Sequence, residues 1–246
     1  MPRVIASVEA RMGSSRLPGK VLVDICGKPA LTRVLNRLKS CESLDGIVLA
    51  TSLNPIDNQV VKWANSEGVE CHRGSENDVL LRVFEAHKKM NSEVIVEICG
   101  DMLLLDPEII DLGVKTFLEN ECNFLTTNCK QSFPIGIDVV IFSLKDLEWV
   151  EKNISDSEVR EHVSLYFVRH PEKYRTIHLL APKRFHYPDY RFVLDYQEDL
   201  EFIRAVYEKL EPKVGACFGL EKIIELLKKE PDLIKINKHC EEKFII

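Results

Sequence analysis

A regular alternation of short apolar runs and amphipathic segments occupies the first two thirds of this chain and constrains its fold more than any other feature. The apolar runs lie at residues 4–8, 47–51, 69–72 and 94–98. Between them, apolar residues recur at helical spacing, as in Leu31, Val34, Leu35 and Leu38. Strands covered by helices on both faces read as continuous apolar runs. The alternation therefore predicts an α/β fold, with a mixed, mostly parallel sheet sandwiched by helices.

The pattern changes after about residue 133. Further strands are predicted at 137–142, 174–180 and 191–194, and helices at 157–170, 198–210 and 220–229. Earlier helices are predicted to begin at Asn54 and Asp106, each followed by proline, and at a capping box formed by Ser75 and Asp78. With 246 residues, the chain is longer than most single domains but short for two. We predict one domain over residues 1–246, with an inserted α+β subdomain at about 133–190.

The charge balance excludes broad classes of partner. The chain has 33 Lys and Arg against 39 Asp and Glu, a net charge of −6, so we expect neither nucleic acid nor membrane as a partner. It lacks the run of about 20 apolar residues that a membrane helix needs. Glu9 and Arg11 interrupt the first apolar run too early for a signal peptide, which predicts a cytoplasmic protein. The eight cysteines form no Cys-x-x-Cys pair, which predicts buried, reduced thiols and no zinc site.

A basic, glycine-containing loop follows the first apolar run. Within residues 11–20, Gly13 and Gly19 let the backbone approach a ligand closely, and Arg11, Arg16 and Lys20 supply positive charge suited to phosphate oxygens. The spacing of the two glycines does not fit a Walker A loop, and no Gly-x-Gly-x-x-Gly motif is present. The loop therefore predicts a phosphate site of another kind. A turn carrying solvated basic residues is the alternative.

Acidic residues follow two of the other apolar runs. Asp101 comes just past the predicted strand at 94–98, and Asp195 just past the one at 191–194. Because ligands bind beyond the carboxyl ends of parallel strands, we expect both to lie at one edge of the sheet, near the basic loop. Such carboxylates could hold magnesium during nucleotidyl transfer. The alternatives are a turn cap for Asp101 and a helix N-cap for Asp195.

The loop also carries a family resemblance. Residues 10–20, Ala-Arg-Met-Gly-Ser-Ser-Arg-Leu-Pro-Gly-Lys, resemble the signature of the sugar-acid cytidylyltransferases, the CMP-ketodeoxyoctonate and CMP-sialate synthetases. Later segments resemble the SpsF spore-coat polysaccharide branch of this group, at 73–80, 100–101, 106–107, 134–139, 160–163, 170–172, 191–195 and 198–200. The resemblance covers residues 1 to about 210. It implies a Rossmann-like nucleotide-diphospho-sugar transferase fold.

The resemblance implies a function as well. A magnesium-dependent enzyme would couple CTP to an acidic sugar or related small acid and release pyrophosphate, during synthesis of a surface polysaccharide or glycoconjugate precursor. It implies a homodimer, formed through the inserted segment. The choice between CTP and GTP stays open at this stage, as does the identity of the acidic acceptor.

Site residues follow from the same resemblance. Those implied to be catalytic are Arg11, Lys20, Asp101 and Asp195, of which Asp101 and Asp195 bind Mg²⁺. Those implied to bind nucleotide are Ala10, Arg11, Gly13, Ser14, Ser15, Arg16, Lys20, Arg73, Ser75 and Asp101. For Arg73 and Ser75, a capped helix start is the alternative.

On the acceptor side, residues 162–166 resemble the His-Ile-Gly-Ile-Tyr stretch that contacts the sugar in the ketodeoxyoctonate enzymes. His162 and Tyr166, four residues apart, are predicted to share one helix face. Arg160 is predicted to pair with an acidic group of the acceptor. A purely structural role is the alternative for His162.

Two departures from the family pattern leave other functions open. Glu9 stands where the family has Gln, and Leu103 stands where it has Pro, after Met102. One alternative function is a glycosyltransferase that uses a nucleotide sugar, although the Asp-x-Asp motif of such enzymes is absent at Asp101. The other is a catalytically silent nucleotide-binding homologue.

Overall fold

A seven-stranded mixed sheet forms the centre of the computed structural model, which describes residues 1–241. The strands are β1 (Val4–Glu9), β2 (Asp24–Ile25), β3 (Lys28–Pro29), β4 (Gly46–Ser52), β5 (Glu70–Gly74), β6 (Val94–Cys99), β7 (Phe124–Thr126), β8 (Val140–Ser143) and β9 (Thr176–His178). The helices are α1 (Ala30–Leu38), α2 (Asn58–Glu67), α3 (Val79–Lys89), α4 (Pro107–Glu119), α5 (Leu144–Asn153), α6 (Ser157–Glu161), α7 (Leu165–Arg169), α8 (Gln197–Val214) and α9 (Leu220–Lys229).

The sheet has the order β5-β4-β1-β6-β8-β7-β9, and β2 and β3 form a separate two-stranded hairpin. Strands β5, β4, β1 and β6 run parallel to one another. Strand β8 is antiparallel to both of its neighbours, while β7 and β9 are parallel. The predicted mixed, mostly parallel sheet is therefore confirmed. Its inserted subdomain stays a prediction.

Each face of the sheet carries its own apolar core. Along β1, the side chains of Val4, Ala6 and Val8 join a core that includes residues of α1, α4, α8 and α9. Ile5, between them, joins the opposite core, which includes residues of α3, α5, α6 and α7. Successive strand residues point to opposite faces, so a strand with helices on both sides is mostly apolar. This is why the first run is apolar at every position except Ser7, which is buried.

The segment after β6 is held by buried polar groups. Leu103, Leu104 and Leu105 are fully buried. The Tyr207 hydroxyl donates to the Leu103 carbonyl at 2.9 Å, and Arg37 Nη1 donates to the Leu105 carbonyl at 2.7 Å. These bonds fix the segment although it lacks the proline of the family pattern. They also tie it to α1 and α8, which carry the two donors.

Several predicted elements differ in the structure. The helix predicted at 157–170 is two short helices, α6 and α7, because the chain breaks at 162–164 and buries Val163 there. The strand predicted at 191–194 is wrong, since only Arg191 forms a bridge, to Ile135. Strands β8 and β9 are shorter than predicted.

Helix starts were predicted better than strand ends. Asn54 caps a 3₁₀ turn, Pro55–Asp57, that leads into α2, and Asp106 caps α4. The N-cap of α3 is Asp78, whose carboxylate accepts from Leu81 N. Ser75 Oγ accepts from Asp78 N, in the turn that precedes the helix. The predicted capping box at Ser75 is thus displaced to Asp78.

The eight cysteines are free thiols, as predicted, but the prediction that they are buried is wrong. Six of them are half-buried, and Cys129 and Cys217 are exposed. Among residues 1–241, no helix is both long and apolar enough to span a membrane.

A close backbone approach at Gly136 gives a test of the fold. Gly136 has φ +92°, and a Cβ there would lie 2.8 Å from the Phe192 carbonyl carbon. Gly215 has a similar φ of +85°, with nothing within 4 Å. We expect Gly136→Ala to lower the free energy of unfolding by about 1–3 kcal/mol more than Gly215→Ala, since only the first adds a clash to the backbone strain. Urea unfolding followed by circular dichroism measures both, and equal losses would contradict the packing described here.

Candidate functional site

The residues predicted to bind phosphate and metal meet at the carboxyl edge of the parallel strands. The basic loop follows β1, and Asp101 follows β6, the strand beside it. Asp195 lies in the segment that leads into α8. The predicted convergence of Lys20, Asp101 and Asp195 is present, since Lys20 contacts both carboxylates.

The basic loop is curled by its own hydrogen bonds. The Met12 carbonyl accepts from Ser14 N at 2.9 Å and from Gly19 N at 3.0 Å. Gly19 adopts φ +73°, in the left-handed region that favours glycine, and so allows the turn that brings Lys20 to the site. The buried carboxylate of Asp57 accepts from Met12 N at 2.7 Å and anchors the loop from outside.

Lys20 links the two carboxylates. Its Nζ lies 2.5 Å from Asp101 Oδ2 and 2.7 Å from Asp195 Oδ1. Arg16 Nη2 lies 2.8 Å from Asp195 Oδ1 as well, and the guanidinium of Arg16 stacks over the Tyr196 ring at 5.1 Å. These ion pairs are largely withdrawn from solvent, because the side chains of Lys20, Asp101 and Asp195 are only 12%, 18% and 6% exposed.

The ionisation of this group follows from its charges. Burial acts to lower the pKa of Lys20, but the adjacent carboxylates of Asp101 and Asp195 outweigh it and raise that pKa. Burial acts to raise the pKa of Asp195, but Lys20 first, and then Arg16 and Arg191, bring that pKa below its usual value. The Lys20 ammonium and the Asp195 carboxylate are therefore both held in their charged forms.

Two backbone contacts bring Asp101 against the loop and against Asp195. Gly100 N donates to the Glu9 carbonyl at 2.9 Å, and a Cβ on Gly100 would lie 3.0 Å from Ala10 Cβ. Only a glycine lets the two chain segments approach this closely. Leu194 N then donates to the Asp101 carbonyl at 3.0 Å, which places Asp195 beside Asp101.

A buried network, which sequence reasoning missed, orients Asp195. Arg191 Nη2 donates to Asp195 Oδ2 at 3.1 Å, and Arg191 Nε donates to Asp199 Oδ1 at 3.0 Å. Asp199 Oδ2 also accepts from Asp195 N, and Asn237 Nδ2 donates to Asp199 Oδ1. The N-cap of α8 is Tyr196, so the N-cap alternative for Asp195 is wrong. In the sequence, the four-residue spacing of Arg191, Asp195 and Asp199 was the one signal of this network. No sequence signal indicated that Asn237 belongs to it.

The donor set fits magnesium. Asp101 and Asp195 direct one carboxylate oxygen each at a single cation, the Lys20 ammonium. Carboxylate oxygens are the ligands that Mg²⁺ prefers, and magnesium is commonly held by one or two of them together with substrate phosphates. The pair of carboxylates could therefore hold such an ion at this position, which stays a prediction.

The other predicted nucleotide-binding residues are differently placed. Arg11, Gly13 and Ser15 are exposed, Ser14 is half-buried, and Ala10 is buried at the end of β1. Arg73 donates to the Ser52 and Asn54 carbonyls and to Asn58 Oδ1. Ser75 Oγ accepts from Asp78 N. Arg73 and Ser75 thus have local structural roles here, and nucleotide contact by either stays a prediction.

The predicted acceptor residues are not brought together. A cavity of about 600 Å³ adjoins the site, since Cys99 and Met102 on either side of Asp101 line it, and His162 lines it too. Arg160 instead binds Asp78 through Nε and Nη2, the shorter contact being 2.5 Å.

Tyr166 is buried, and its ring packs against His170 with the ring centres 4.2 Å apart. The predicted helix face shared by His162 and Tyr166 is wrong, because α6 ends at Glu161 and α7 begins at Leu165. The break turns His162 into the cavity and Tyr166 into the core. Contact of Arg160 or Tyr166 with an acceptor stays a prediction.

Comparison with known proteins places the chain among similar sequences and structures. A family model described as cytidylyltransferase matches residues 5–223. The spore coat polysaccharide biosynthesis protein SpsF of Bacillus subtilis is 32% identical over 241 residues, covering 94% of this chain and 97% of that protein. A 3-deoxy-manno-octulosonate cytidylyltransferase of Nitratidesulfovibrio vulgaris is 30% identical over 223 residues, covering 81% and 82%. The solved structure of a cytidylyltransferase from Leptospira borgpetersenii has a TM-score of 0.90 at 30% identity, with full coverage of both chains.

The charge pairing at Lys20 predicts a pH-dependent loss of stability. Lys20→Met leaves two largely buried carboxylates without their shared partner, and we expect the free energy of unfolding to fall by about 2 kcal/mol at pH 7. The lowered pKa of Asp195 stabilises the fold above the ordinary Asp value of about 3.9, and this stabilisation is lost as the pH falls through the folded-state pKa. The difference between wild type and variant should therefore shrink at pH 3.5.

Urea unfolding at pH 7 and pH 3.5 measures this difference. Lys213→Met, at an exposed position on α8, is the matched control and should change stability little at either pH. A loss in Lys20→Met that is as large at pH 3.5 as at pH 7 would contradict the ion-pair explanation.

Proposed function

The chain belongs to the cytidylyltransferase family, with SpsF-like relatives, and on that premise we propose that it couples CTP to an acidic sugar and releases pyrophosphate. The observation that carries the proposal is the convergence of Lys20, Asp101 and Asp195 at the end of the basic loop. A triphosphate needs cations such as Lys20, and a metal ion needs carboxylates such as Asp101 and Asp195. The name of the SpsF relative supports a role in polysaccharide synthesis.

Positive charge in the loop serves the triphosphate in this proposal. Arg11 and Lys20 hold the β- and γ-phosphates, with help from Arg16. Arg11 is exposed and so accessible to a ligand, whereas Lys20 exchanges its carboxylate partners for phosphate oxygens when CTP binds. Their charge stabilises the negative charge that grows on the departing pyrophosphate.

Asp101 and Asp195 would hold Mg²⁺, which when bound supplies charge stabilisation at the α-phosphate. Arg191 and Asp199 keep the Asp195 carboxylate in position for this task. The Leu194–Asp101 backbone bond keeps the two carboxylates at a fixed separation.

The reaction is one in-line displacement. A hydroxyl oxygen of the acceptor forms a bond to the α-phosphorus, and the bond from that phosphorus to the bridging oxygen of pyrophosphate breaks. The hydroxyl proton passes to solvent, and no covalent enzyme intermediate forms. Catalysis comes from positioning and electrostatic stabilisation. The cavity beside Asp101 receives the acceptor, with His162 on its wall.

We further propose a homodimer that works in the cytoplasm, as the family resemblance implies. Analytical ultracentrifugation tests the dimer directly, since the monomer mass is 28.2 kDa. A single species of that mass at micromolar concentration would overturn it.

Pyrophosphate release tests the proposed reaction. With Mg²⁺ present and CTP, GTP, ATP or UTP supplied in turn with a panel of sugar acids, we expect release with CTP only, and none after chelation by EDTA. Asp101→Asn should lower kcat/KM at least about 100-fold, because it removes a charged oxygen ligand. Asp232→Asn, at an exposed aspartate in the segment Pro231–Lys235, is the matched control and should keep wild-type activity.

Each alternative function gives its own result in this assay. A glycosyltransferase would consume a nucleotide sugar without releasing pyrophosphate. A silent homologue would bind CTP in calorimetry without turnover. Undiminished turnover in Asp101→Asn, or activity without a divalent cation, would contradict the proposal that Asp101 binds the metal ion.

A further inference from the structure

The cavity beside Asp101 is acidic, although an acidic acceptor is proposed to enter it. Its lining includes four carboxyl side chains, those of Glu9, Glu97, Asp138 and Glu161. Within the described residues 1–241, neither lysine nor arginine lines it. The carboxylate of the acceptor is therefore not expected to lie against these groups, because the described lining offers no lysine or arginine to pair with it.

Glu9 and Glu97 form the most unusual part of this lining. They lie on the adjacent parallel strands β1 and β6, where Ser7 pairs with Glu97 and Glu9 with Cys99. Because side chains alternate along a strand, both point to the face on which Ile5 and Ile95 join the apolar core. Carboxyl groups thus replace apolar side chains where this face reaches the cavity.

The carboxyl groups of this pair are not fully satisfied by the rest of the protein. Glu9 Oε1 and Glu97 Oε2 are buried, and neither has a hydrogen-bond partner within residues 1–241. Burial raises the pKa of Glu97 to about 7, against the effect of a hydrogen bond from Ser164. Burial and the neighbouring Glu97 raise the pKa of Glu9, which Arg82 lowers to a smaller extent. Buried polar atoms in a protein almost always have partners, so these oxygens are positioned for one supplied from outside.

Other charged groups around the pair do not supply that partner. Arg82 contributes positive charge near Glu9, but its Nη1 donates to the Ser75 carbonyl at 2.6 Å. Asp101 adds further negative charge on the side of the metal site. The raised pKa values hold this pair of carboxyl groups partly in the neutral form in the free protein, and a bound cation would favour the ionised form.

We propose that the acceptor carries an amino group that binds between Glu9 and Glu97, so that the substrate class is an amino sugar acid. This inference rests on the proposed cytidylyl transfer. An ammonium group offers three N–H donors and a positive charge, which match two unpaired carboxyl oxygens in a cavity that no lysine or arginine of the described chain lines. A sugar hydroxyl offers one donor and no charge, so it would not favour the ionised form of the carboxyl groups.

Glu9 is also the residue at which this chain departs from the glutamine of its family pattern. Glutamine has the same shape but no charge, so it could pair with a hydroxyl as well as glutamate does. Glutamate at position 9 therefore adds a group that can carry negative charge, while the side chain keeps the length of glutamine. Such a group is what recognition of an amine requires. Glu9→Gln is accordingly the most informative substitution at this site.

Matched acceptor pairs test the inference. With CTP and Mg²⁺, kcat/KM is measured for 3-deoxy-manno-octulosonate and its 8-amino-8-deoxy analogue, and for a nonulosonic acid and its amino-for-hydroxyl analogue. We expect the amine of at least one pair to be favoured about tenfold or more over its hydroxyl counterpart, since charge-assisted hydrogen bonds exceed neutral ones. Glu9→Gln should reduce that preference at least about fivefold. Glu119→Gln, an exposed carboxylate on α4, is the matched control and should keep it.

Equal use of both members of each pair, or preference for the hydroxyl, overturns the inference and leaves the proposed function standing. A preference for the amine that is unchanged in Glu9→Gln also overturns the inference and leaves the proposed function standing. If no acceptor is turned over, calorimetry with CTP and Ca²⁺ decides. Amine-selective binding that Glu9→Gln weakens supports the inference, and any other acceptor-binding pattern in the presence of bound CTP overturns it. Failure to bind CTP at all overturns the proposed function itself.

Discussion

The contact of the Lys20 ammonium with Asp101 and Asp195 is the interaction on which the arrangement of this site depends. It joins three chain segments that are far apart in sequence, and it does so where the parallel strands end. Without a cation at that point, two largely buried carboxylates would repel each other. The close approach at Gly100 and the curled basic loop make this contact possible, because they determine how near Asp101 and Lys20 come to each other.

Acidic and basic side chains lie close together at the end of β1. Glu9 faces the acidic cavity, whereas the cationic loop begins two residues later at Arg11. The alternation of side chains along a strand permits this, since consecutive positions serve different surfaces. In the proposed reaction, the triphosphate and an amine-bearing acceptor would bind next to each other, each beside side chains of opposite charge. Asp101 lies between these regions, where the two substrates would react.

The sheet and the core of the site could be predicted from sequence because they depend on local patterns. Continuous apolar runs indicated buried parallel strands, and the rule that ligands bind beyond strand ends brought Lys20 and Asp101 together. The break at His162 could not be predicted, since it depends on burying Val163 against distant helices. The network around Asp195 could be predicted only in part: the four-residue spacing of Arg191, Asp195 and Asp199 was a signal, whereas Asn237 reaches Asp199 through tertiary packing, which spacing does not encode. The unpaired oxygens of Glu9 and Glu97 likewise become visible only once β1 and β6 are aligned.

The bond from Asn237 to Asp199 joins the site to a residue 38 positions further along the chain. A ribosome makes the basic loop and Asp101 first, and these can fold as they emerge. The network around Asp195 is incomplete until Asn237 has also been synthesised and has left the exit tunnel. A nascent chain can thus contain all the strands of the sheet while the Asp195 carboxylate still lacks a fixed orientation. The arrangement of this site is therefore completed late in the synthesis of the protein, after the strands of the sheet have all been made.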